Sequence, residues 1–470
     1  MNIREFMQSP ELMGDTFTGD SWEAWNAVWS GAFGLPMTTS ERQKFNHLAG
    51  GRIPPKQRVR ELWIVAGRRS AKTHNAAAAA VYLASVGAEL DGLLDKLSPG
   101  ERGVISLLAV DRQQAKVALS YIQAMFENSP MLSGLVDKIT SEAIHLNNRV
   151  SIEVSTNNYR SIRGRTLLAV LMDEVSFFKS DTSSSPDVET YRAAVPGLAT
   201  TGGMVIGFSS PYARRGLLYQ KYRKHYGQAG DVLVVQGGTA DFNPTLDPRV
   251  IADAMQDDPE AARAEWMGLF REDVASYVSR ETVDQATRPK PLELPFDRKH
   301  KYFAFTDPAG GGSGKNADEF TVAIGHKEGN LIVVDLVRGM KGIPATIVAE
   351  YAELLKSYSV RKVNLDRYGG SVFADEFKRH GIDAEHSPQS RSELYQNALP
   401  LLNSGRIELP PCDRLLNQIV NLERRTARSG KITIDHPPGA GSHDDFCNSA
   451  LGLVALNGHY SKVWDYGKLL

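Results

Sequence analysis

The sequence predicts an α/β protein in which a mostly parallel sheet is followed by a second α/β unit. Three observations predict it. Apolar runs of strand length alternate with helix-length stretches, as in parallel sheets with crossover helices. A Gly/Arg/Ser loop joins the first run to an alanine-rich helix. The stretch Arg288-Pro289-Lys290-Pro291-Leu292-Glu293-Leu294-Pro295 then interrupts the alternation with three prolines, which cannot continue a helix. The expected organisation is an N-terminal helical lobe over 1–55, a sheet core over 56–240 and a helical, charged subdomain with a Pro-rich linker over 241–295. A second unit over 296–458 and a tail over 459–470 complete it.

Taken in order, residues 1–55 carry Trp22, Trp25, Trp29 and Phe33 and end in Gly50-Gly51 and Pro54-Pro55. A strand follows at 61–66, a helix at about 73–86, and strands at 104–110, 150–154, 167–172, 204–208 and 232–235. The second unit reads strands 301–307, 320–326 and 331–337, helix 344–357, strand 361–366, helix 371–380, then helices to about 457. No internal repeat is visible.

Composition narrows the function classes. The chain has 470 residues, 42% hydrophobic and 23% charged, an ordinary globular balance long enough for several domains. Its net charge of −1 excludes a protein basic all over, so any nucleic-acid contact must come from local patches. The densest is Arg214, Arg215, Lys221, Arg223 and Lys224. Two cysteines, Cys412 and Cys447, cannot build a disulfide framework and fit a reducing compartment. The first fifteen residues lack the apolar core of a secretion signal, and no apolar run approaches the ~18 residues of a membrane span. A cytosolic protein is expected.

The first chemical signal is Ala66-Gly67-Arg68-Arg69-Ser70-Ala71-Lys72-Thr73, between a strand and a helix. Backbone N–H groups and a helix N-terminus in that setting cradle phosphate. Lys72 would neutralise the phosphates and Thr73 would ligate Mg²⁺. Alanines at 66 and 71 replace the glycines of the usual pattern. About 100 residues later an apolar strand ends in Asp173-Glu174, with Asp173 suited to Mg²⁺ and Glu174 to polarising a water. Ser209-Ser210-Pro211 follows another strand, where hydroxyls can sense a γ-phosphate. Arg160, Arg163 and Arg165 precede the acidic strand, with Arg163 the favoured phosphate-reaching arginine. Each element alone also reads as an ordinary turn or solvated strand end.

The second signal is a set of separated carboxylates. Asp307 and Asp366 end strands, and Asp444-Asp445 open an apolar helix after His443. Asp318 is a further candidate, opening the next strand. Converging carboxylates repel unless a cation neutralises them, and hard oxygen ligands favour Mg²⁺ or Mn²⁺. Two such ions suit in-line hydrolysis of a phosphodiester. Adjacent helix residues point about 100° apart, so one of Asp444 and Asp445 faces the centre, and the sequence leaves open which.

This ordered set resembles the large terminase subunit of tailed double-stranded DNA bacteriophages, over roughly residues 55–457. The resemblance implies an additional-strand P-loop ATPase followed by an RNase H-like nuclease, a motor that drives DNA into a procapsid and cuts it at initiation and termination. It implies ATP and Mg²⁺ on Gly67, Arg68, Arg69, Ser70, Ala71, Lys72 and Thr73, Asp173 on Mg²⁺, and Glu174 as the catalytic carboxylate. Gln57 would contact adenine, Arg163 would act in trans, and Ser209 to Pro211 would couple hydrolysis to motion. Asp307, Asp366 and Asp444 would hold two Mg²⁺ or Mn²⁺, with Asp445 and Asp318 as alternates. The implied partners are double-stranded DNA, a small terminase subunit, the portal protein and further copies of the chain, usually five in a ring. They place it in the cytoplasm of an infected bacterium, at the portal vertex during packaging. Two rival readings are a nucleotide-gated scaffold without turnover and another RNase H-like, ATP-dependent DNA-processing enzyme.

Overall fold

A computed structural model describes residues 1–157, 162–178, 185–308, 319–367, 371–426, 431–437 and 443–458. They fall into two compact units, divided after Glu272.

In the first unit the strands are β1 (Glu61–Ala66), β2 (Gly103–Ala109), β3 (Val136–Ile139), β4 (Ala143–Leu146), β5 (Val150–Thr156), β6 (Leu167–Asp173), β7 (Met204–Ser209) and β8 (Val232–Gly237). They form one sheet in the order β3-β4-β5-β2-β6-β7-β1-β8. From β5 to β8 every neighbour is parallel, and only β3 and β4 add an antiparallel edge. β2, β6 and β7 are buried throughout, which is why they read as continuous apolar runs. One strand, β7, lies between β1 and β6, so the loops after all three open on the same sheet edge.

The expected N-terminal lobe is not separate. Its helices Ile3–Gln8, Glu23–Ala32 and Thr39–Leu48 bury Phe6, Trp25, Trp29 and Phe45 in the same core as β1, β2 and the Lys72–Tyr82 helix. Each such ring contributes on the order of 1.5–3 kcal/mol by leaving water. The helix expected over 73–86 runs Lys72–Tyr82 and widens into a π turn over Leu83–Gly87.

The second unit is built on β10 (Tyr302–Asp307), β11 (Phe320–Glu328), β12 (Leu331–Met340), β13 (Lys362–Leu365), β14 (Asp383–His386) and β15 (Ile407–Glu408), in the order β14-β13-β10-β11-β12-β15. β11 is antiparallel to both its neighbours, β10 and β12, whereas β13 pairs with β10, and β14 with β13, in parallel. This is the RNase H-like arrangement. Side chains alternate between two cores: Ala304 shares one with Tyr351 and Leu355 of the Pro344–Ser357 helix, and Phe305 the other with Leu451 of the Asp445–Asn457 helix. A small sheet of β9 (Val274–Ser276), β16 (Glu423–Thr426) and β17 (Ile432–Asp435) completes the unit.

The proline stretch does not act as the divider. The unit boundary falls earlier, and buried Arg288 donates to the carbonyls of Pro291, Leu292, Val334 and Asp335, fastening this segment to β12. Residues 241–272 belong with the first sheet. The expected tail, 459–470, lies outside the described residues.

Candidate functional site

In the first unit the loop after β1 folds tightly against β8. A Cβ on Gly67 would stand 2.4 Å from the Thr239 hydroxyl and 2.7 Å from the Trp266 carbonyl, so only glycine fits there. Two non-glycine residues in the loop, Arg69 and Ala71, take positive φ of 58° and 61°. Ala71, the N-cap of the Lys72–Tyr82 helix, is left-handed, a conformation costing an alanine roughly 1–2 kcal/mol. Surrounding groups hold that strain. The Trp25 indole donates to the Ser70 carbonyl at 3.0 Å, and Trp29 holds Asn75, whose amide donates to the Ala71 carbonyl at 3.1 Å. Thr239 and Asn243 donate to the carbonyls of Arg68 and Arg69, and the Arg68 side chain pairs with Glu265.

The loop meets the acids of β6 directly. The Thr73 hydroxyl donates to Asp173 Oδ2 at 2.7 Å. Lys72 Nζ, buried, donates to the carbonyls of Ala66 and Gly67 and to Ser210 Oγ at 2.9 Å, and lies 3.4 Å from Glu174 Oε1. Glu174, at positive φ of 54°, accepts from Ser209 Oγ at 3.1 Å and from the Ser210 N–H at 3.0 Å. Burial, reinforced by neighbouring Glu174, pushes the Asp173 carboxyl up to about 6. Its Oδ1 is buried with no hydrogen-bond partner among the described residues. A buried carboxylate oxygen left unpaired beside a helix-start hydroxyl suits a hard cation such as Mg²⁺. Thus Gly67 to Thr73, Asp173, Glu174, Ser209 and Ser210 come together, with Pro211 next in the chain.

Two expected residues do not join them. Gln57 is exposed and precedes β1, at the end of the strand opposite the loop, because a six-residue strand separates them. Arg163 is exposed and precedes β6, likewise at the end opposite Asp173. Arg160 lies outside the described residues. The basic cluster also divides. Arg214, Arg223 and Lys224 are exposed, while Lys221 is bound to Glu61 and the Tyr191 hydroxyl, with its ammonium 4.1 Å from the Tyr191 ring centre. Lys221 therefore serves the fold, and so drops out of the expected DNA-gripping set.

In the second unit, β10 ends in Asp307, β13 leads to Asp366, and Asp444 caps the Asp445–Asn457 helix. Asn448, one turn along that helix and fully buried, ties the first two together: its amide nitrogen donates to Asp307 Oδ2 at 2.8 Å and to Asp366 Oδ2 at 2.7 Å. Asp444 accepts from Arg391 at 3.1 Å and from the Tyr395 hydroxyl at 2.8 Å, and Arg391 Nε approaches Asp366 to 3.9 Å. Burial pushes Asp307 up to about 7, with Asp366 and Asp444 adding to the rise and Arg391 and Asn448 opposing it. Burial raises Asp444 as well, against Arg391. Burial alone would lower the Arg391 guanidinium, but Asp444, Tyr395, Asp307 and Asp366 raise it above its ordinary value. Three carboxylates short of positive charge, beside an Asn448 Oδ1 with no partner among the described residues, make an oxygen-rich set that fits divalent cations of the Mg²⁺ or Mn²⁺ kind.

Asp445 turns the other way. It accepts from the Glu319 N–H, from Arg414 at 3.1 Å and from Gln418 at 2.6 Å, so its oxygens are already engaged. Asp318 lies outside the described residues. Sequence reading missed Asn448, Arg391 and Tyr395. Only Asn448 carried a signal, four residues after Asp444 and hence on the same helix face.

No protein-family model and no curated protein matches the chain. Similar solved structures include the HK97 bacteriophage large terminase, at 15% identity over 93% of this chain and 100% of that one, with a TM-score of 0.37. A large terminase from a thermophilic bacteriophage is 12% identical over 94% of this chain and 99% of that one, with a TM-score of 0.39. The large terminase nuclease of thermophilic phage G20c with bound magnesium is 21% identical over 38% of this chain and 97% of that one, with a TM-score of 0.32. The resemblance carried by the motifs, to the large terminases of tailed bacteriophages, recurs among these solved structures.

Proposed function

We propose that this chain is the ATP-driven motor and nuclease that packages double-stranded DNA into a viral procapsid. The observation that carries the reading is that one chain holds, in order, a phosphate loop whose Thr73 touches Asp173 at 2.7 Å and three carboxylates gathered around Asn448 and Arg391.

In the first unit, Lys72 and the loop N–H groups receive the ATP phosphates, while Thr73 and Asp173 hold Mg²⁺. Glu174, fixed by Ser209 and Ser210, orients water toward the γ-phosphate. Ser209, Ser210 and Pro211 pass the loss of that phosphate to the rest of the unit. Arg163 stands at the wrong sheet end for its own loop, so its role as a finger requires a neighbouring copy. Gln57 is not assigned to adenine. In the second unit, Asp307, Asp366 and Asp444 would hold two Mg²⁺ or Mn²⁺, which would activate water and neutralise charge for phosphodiester cleavage. Arg391 balances the three acids and keeps them oriented. The DNA grip falls to phosphate contacts by Arg214, Arg215, Arg223 and Lys224, because packaging must be indifferent to sequence. The partners are a small terminase subunit, the portal protein and further copies of the chain in a ring of five, at the portal vertex in the infected cytoplasm.

The test is steady-state ATP hydrolysis with and without double-stranded DNA, beside Glu174→Gln, together with plasmid cutting in Mn²⁺ beside Asp307→Asn. The motor requires DNA-stimulated turnover that Glu174→Gln abolishes, and cutting that Asp307→Asn abolishes without loss of turnover. Hydrolysis surviving Glu174→Gln overturns the assignment of that carboxylate. Cutting without any hydrolysis on assembled portal favours the nucleotide-gated scaffold, whose support is the alanines at positions 66 and 71 of the loop.

A further inference from the structure

The second unit gathers another set of metal-ligating side chains, at the opposite end of β10 from the carboxylates. Asp307 pairs with Thr321 across the β10–β11 ladder, and Tyr302 pairs with His326 five residues away, about 17 Å at strand spacing. There His300, His326 and Glu328 each offer a ligand atom within 4.8 Å of the other two. Glu328 Oε1 lies 3.3 Å from His326 Nε2 and 3.8 Å from His300 Nε2, and the two imidazole centres are 4.0 Å apart.

The partner behind His326 gives the cluster a direction. His326 Nδ1 lies 2.8 and 3.0 Å from the two oxygens of Asp335, which is fully buried. Asp335 is the extra residue of a β-bulge: Gly325 pairs with Val334 and Ile324 with Leu336, leaving Asp335 between them. Bulges re-aim single side chains, and this one aims a carboxylate at the back of an imidazole. An Nδ1–H donated to Asp335 leaves the Nε2 lone pair pointing at Glu328, where two acceptors face each other at 3.3 Å. A cation resolves that contact. A carboxylate behind a ligating histidine is the usual support of a bound metal, fixing the tautomer and raising the basicity of the ring.

We propose that His300, His326 and Glu328 bind one Zn²⁺, with Asp335 positioning His326 and water completing a tetrahedral set. Two imidazoles and one carboxylate favour Zn²⁺ over Mg²⁺, and tetrahedral bonds of about 2.0–2.1 Å imply ligand separations of roughly 3.3–3.5 Å, close to those present. His300 precedes β10 and follows the segment that Arg288 fastens to β12, so the ion clips this segment to the β11–β12 hairpin.

The experiment is equilibrium dialysis of the full chain against Zn²⁺ in a large excess of Mg²⁺, which occupies the oxygen sites but competes poorly for imidazole. Co²⁺ replaces Zn²⁺ for a spectroscopic readout, and melting is followed by calorimetry. The proposal requires one Zn²⁺ per chain, visible tetrahedral Co²⁺ bands and a Zn²⁺-dependent rise of the second unit's melting transition. All three vanish in His300→Ala and in Glu328→Gln, while Asp335→Asn weakens affinity about 10–100-fold. His300 and Glu328 are partly or largely exposed, so neither variant threatens folding. Equal Zn²⁺ uptake by parent and His300→Ala overturns the site. No uptake by the parent also overturns it.

Discussion

Asn448→Ala is the sharpest probe of the carboxylate cluster. The Asn448 amide is the hydrogen-bond link between Asp307 and Asp366, at 2.8 and 2.7 Å, inside a fully buried helix turn. Hydrogen bonds to charged groups contribute about 1.5–3 kcal/mol each, so losing both costs roughly 3 kcal/mol or more without a cation. For a unit of this size that is a drop of about 6–12 °C in melting temperature. The measurement is calorimetry of the full chain near pH 8, above the value of about 7 for Asp307, so that this carboxyl is ionised. The second unit's transition is identified as the one that Mn²⁺ raises. Adding Mn²⁺ should close most of the gap between variant and parent, because the ion then neutralises what the amide had bridged. A loss below about 1 kcal/mol, or a loss equal with and without Mn²⁺, would refute the argument that the amide substitutes for missing positive charge.

Three further outcomes follow from the same geometry. Asp444→Asn should abolish plasmid cutting, whereas Asp445→Asn should cost about 1.5–3 kcal/mol of stability and leave cutting by the folded fraction intact, because Asp445 is spent on Glu319, Arg414 and Gln418. Ala71→Gly should relieve a left-handed alanine costing about 1–2 kcal/mol, less the roughly 0.5–1 kcal/mol of extra glycine entropy, and raise the first unit's melting transition by about 1–3 °C without loss of ATP turnover. His74, packed between Phe17 and Tyr121, is lowered by burial, so the folded state prefers the neutral ring. Its contribution is whole above about pH 6.5 and falls away as pH drops toward the lower folded value. His74→Phe should therefore flatten the acid limb of the parent's stability–pH curve, measured as the difference between the two chains.

Much of this was legible in the sequence, for physical reasons that differ by element. β2, β6 and β7 are buried on both faces, so their apolar runs were unmistakable, and the acids of β6 sit where the run stops. β3 and β14 are short, polar edge strands, with burial too shallow to impose a pattern. The proline stretch looked like a linker because proline excludes helix. What decides its role is Arg288, whose five donors have found four carbonyls, a pairing no local pattern reveals. Asp444 and Asp445 were inseparable on paper because each begins the same helix. Tyr395 and Arg391 on one side, and Arg414 and Gln418 on the other, separate them, all from helices distant in the chain. Gln57 and Arg163, whose roles came from the resemblance, precede β1 and β6 respectively, each at the strand end opposite the phosphate loop.

If the chain is the motor proposed above, the link between ATP and motion would run through Lys72. Its ammonium is satisfied by two loop carbonyls and Ser210 Oγ, and Glu174 is held by Ser209 Oγ and the Ser210 N–H. One dipeptide at the end of β7 therefore carries both the lysine that would meet a γ-phosphate and the carboxylate that would orient the attacking water. For Lys72 to turn to phosphate it must release Ser210, which frees a hydroxyl whose neighbour positions Glu174. On that reading, binding and catalytic alignment would be coupled through a single strand end, with no relay needed across the sheet. Ser210→Ala removes the shared hydroxyl while keeping the backbone N–H on Glu174. It should leave single-turnover hydrolysis within a few-fold of the parent, since one neutral hydrogen bond contributes about 1 kcal/mol, yet reduce DNA stimulation of steady-state turnover by more than that. Equal losses in both rates would show that Ser210 merely packs the site and that coupling runs elsewhere.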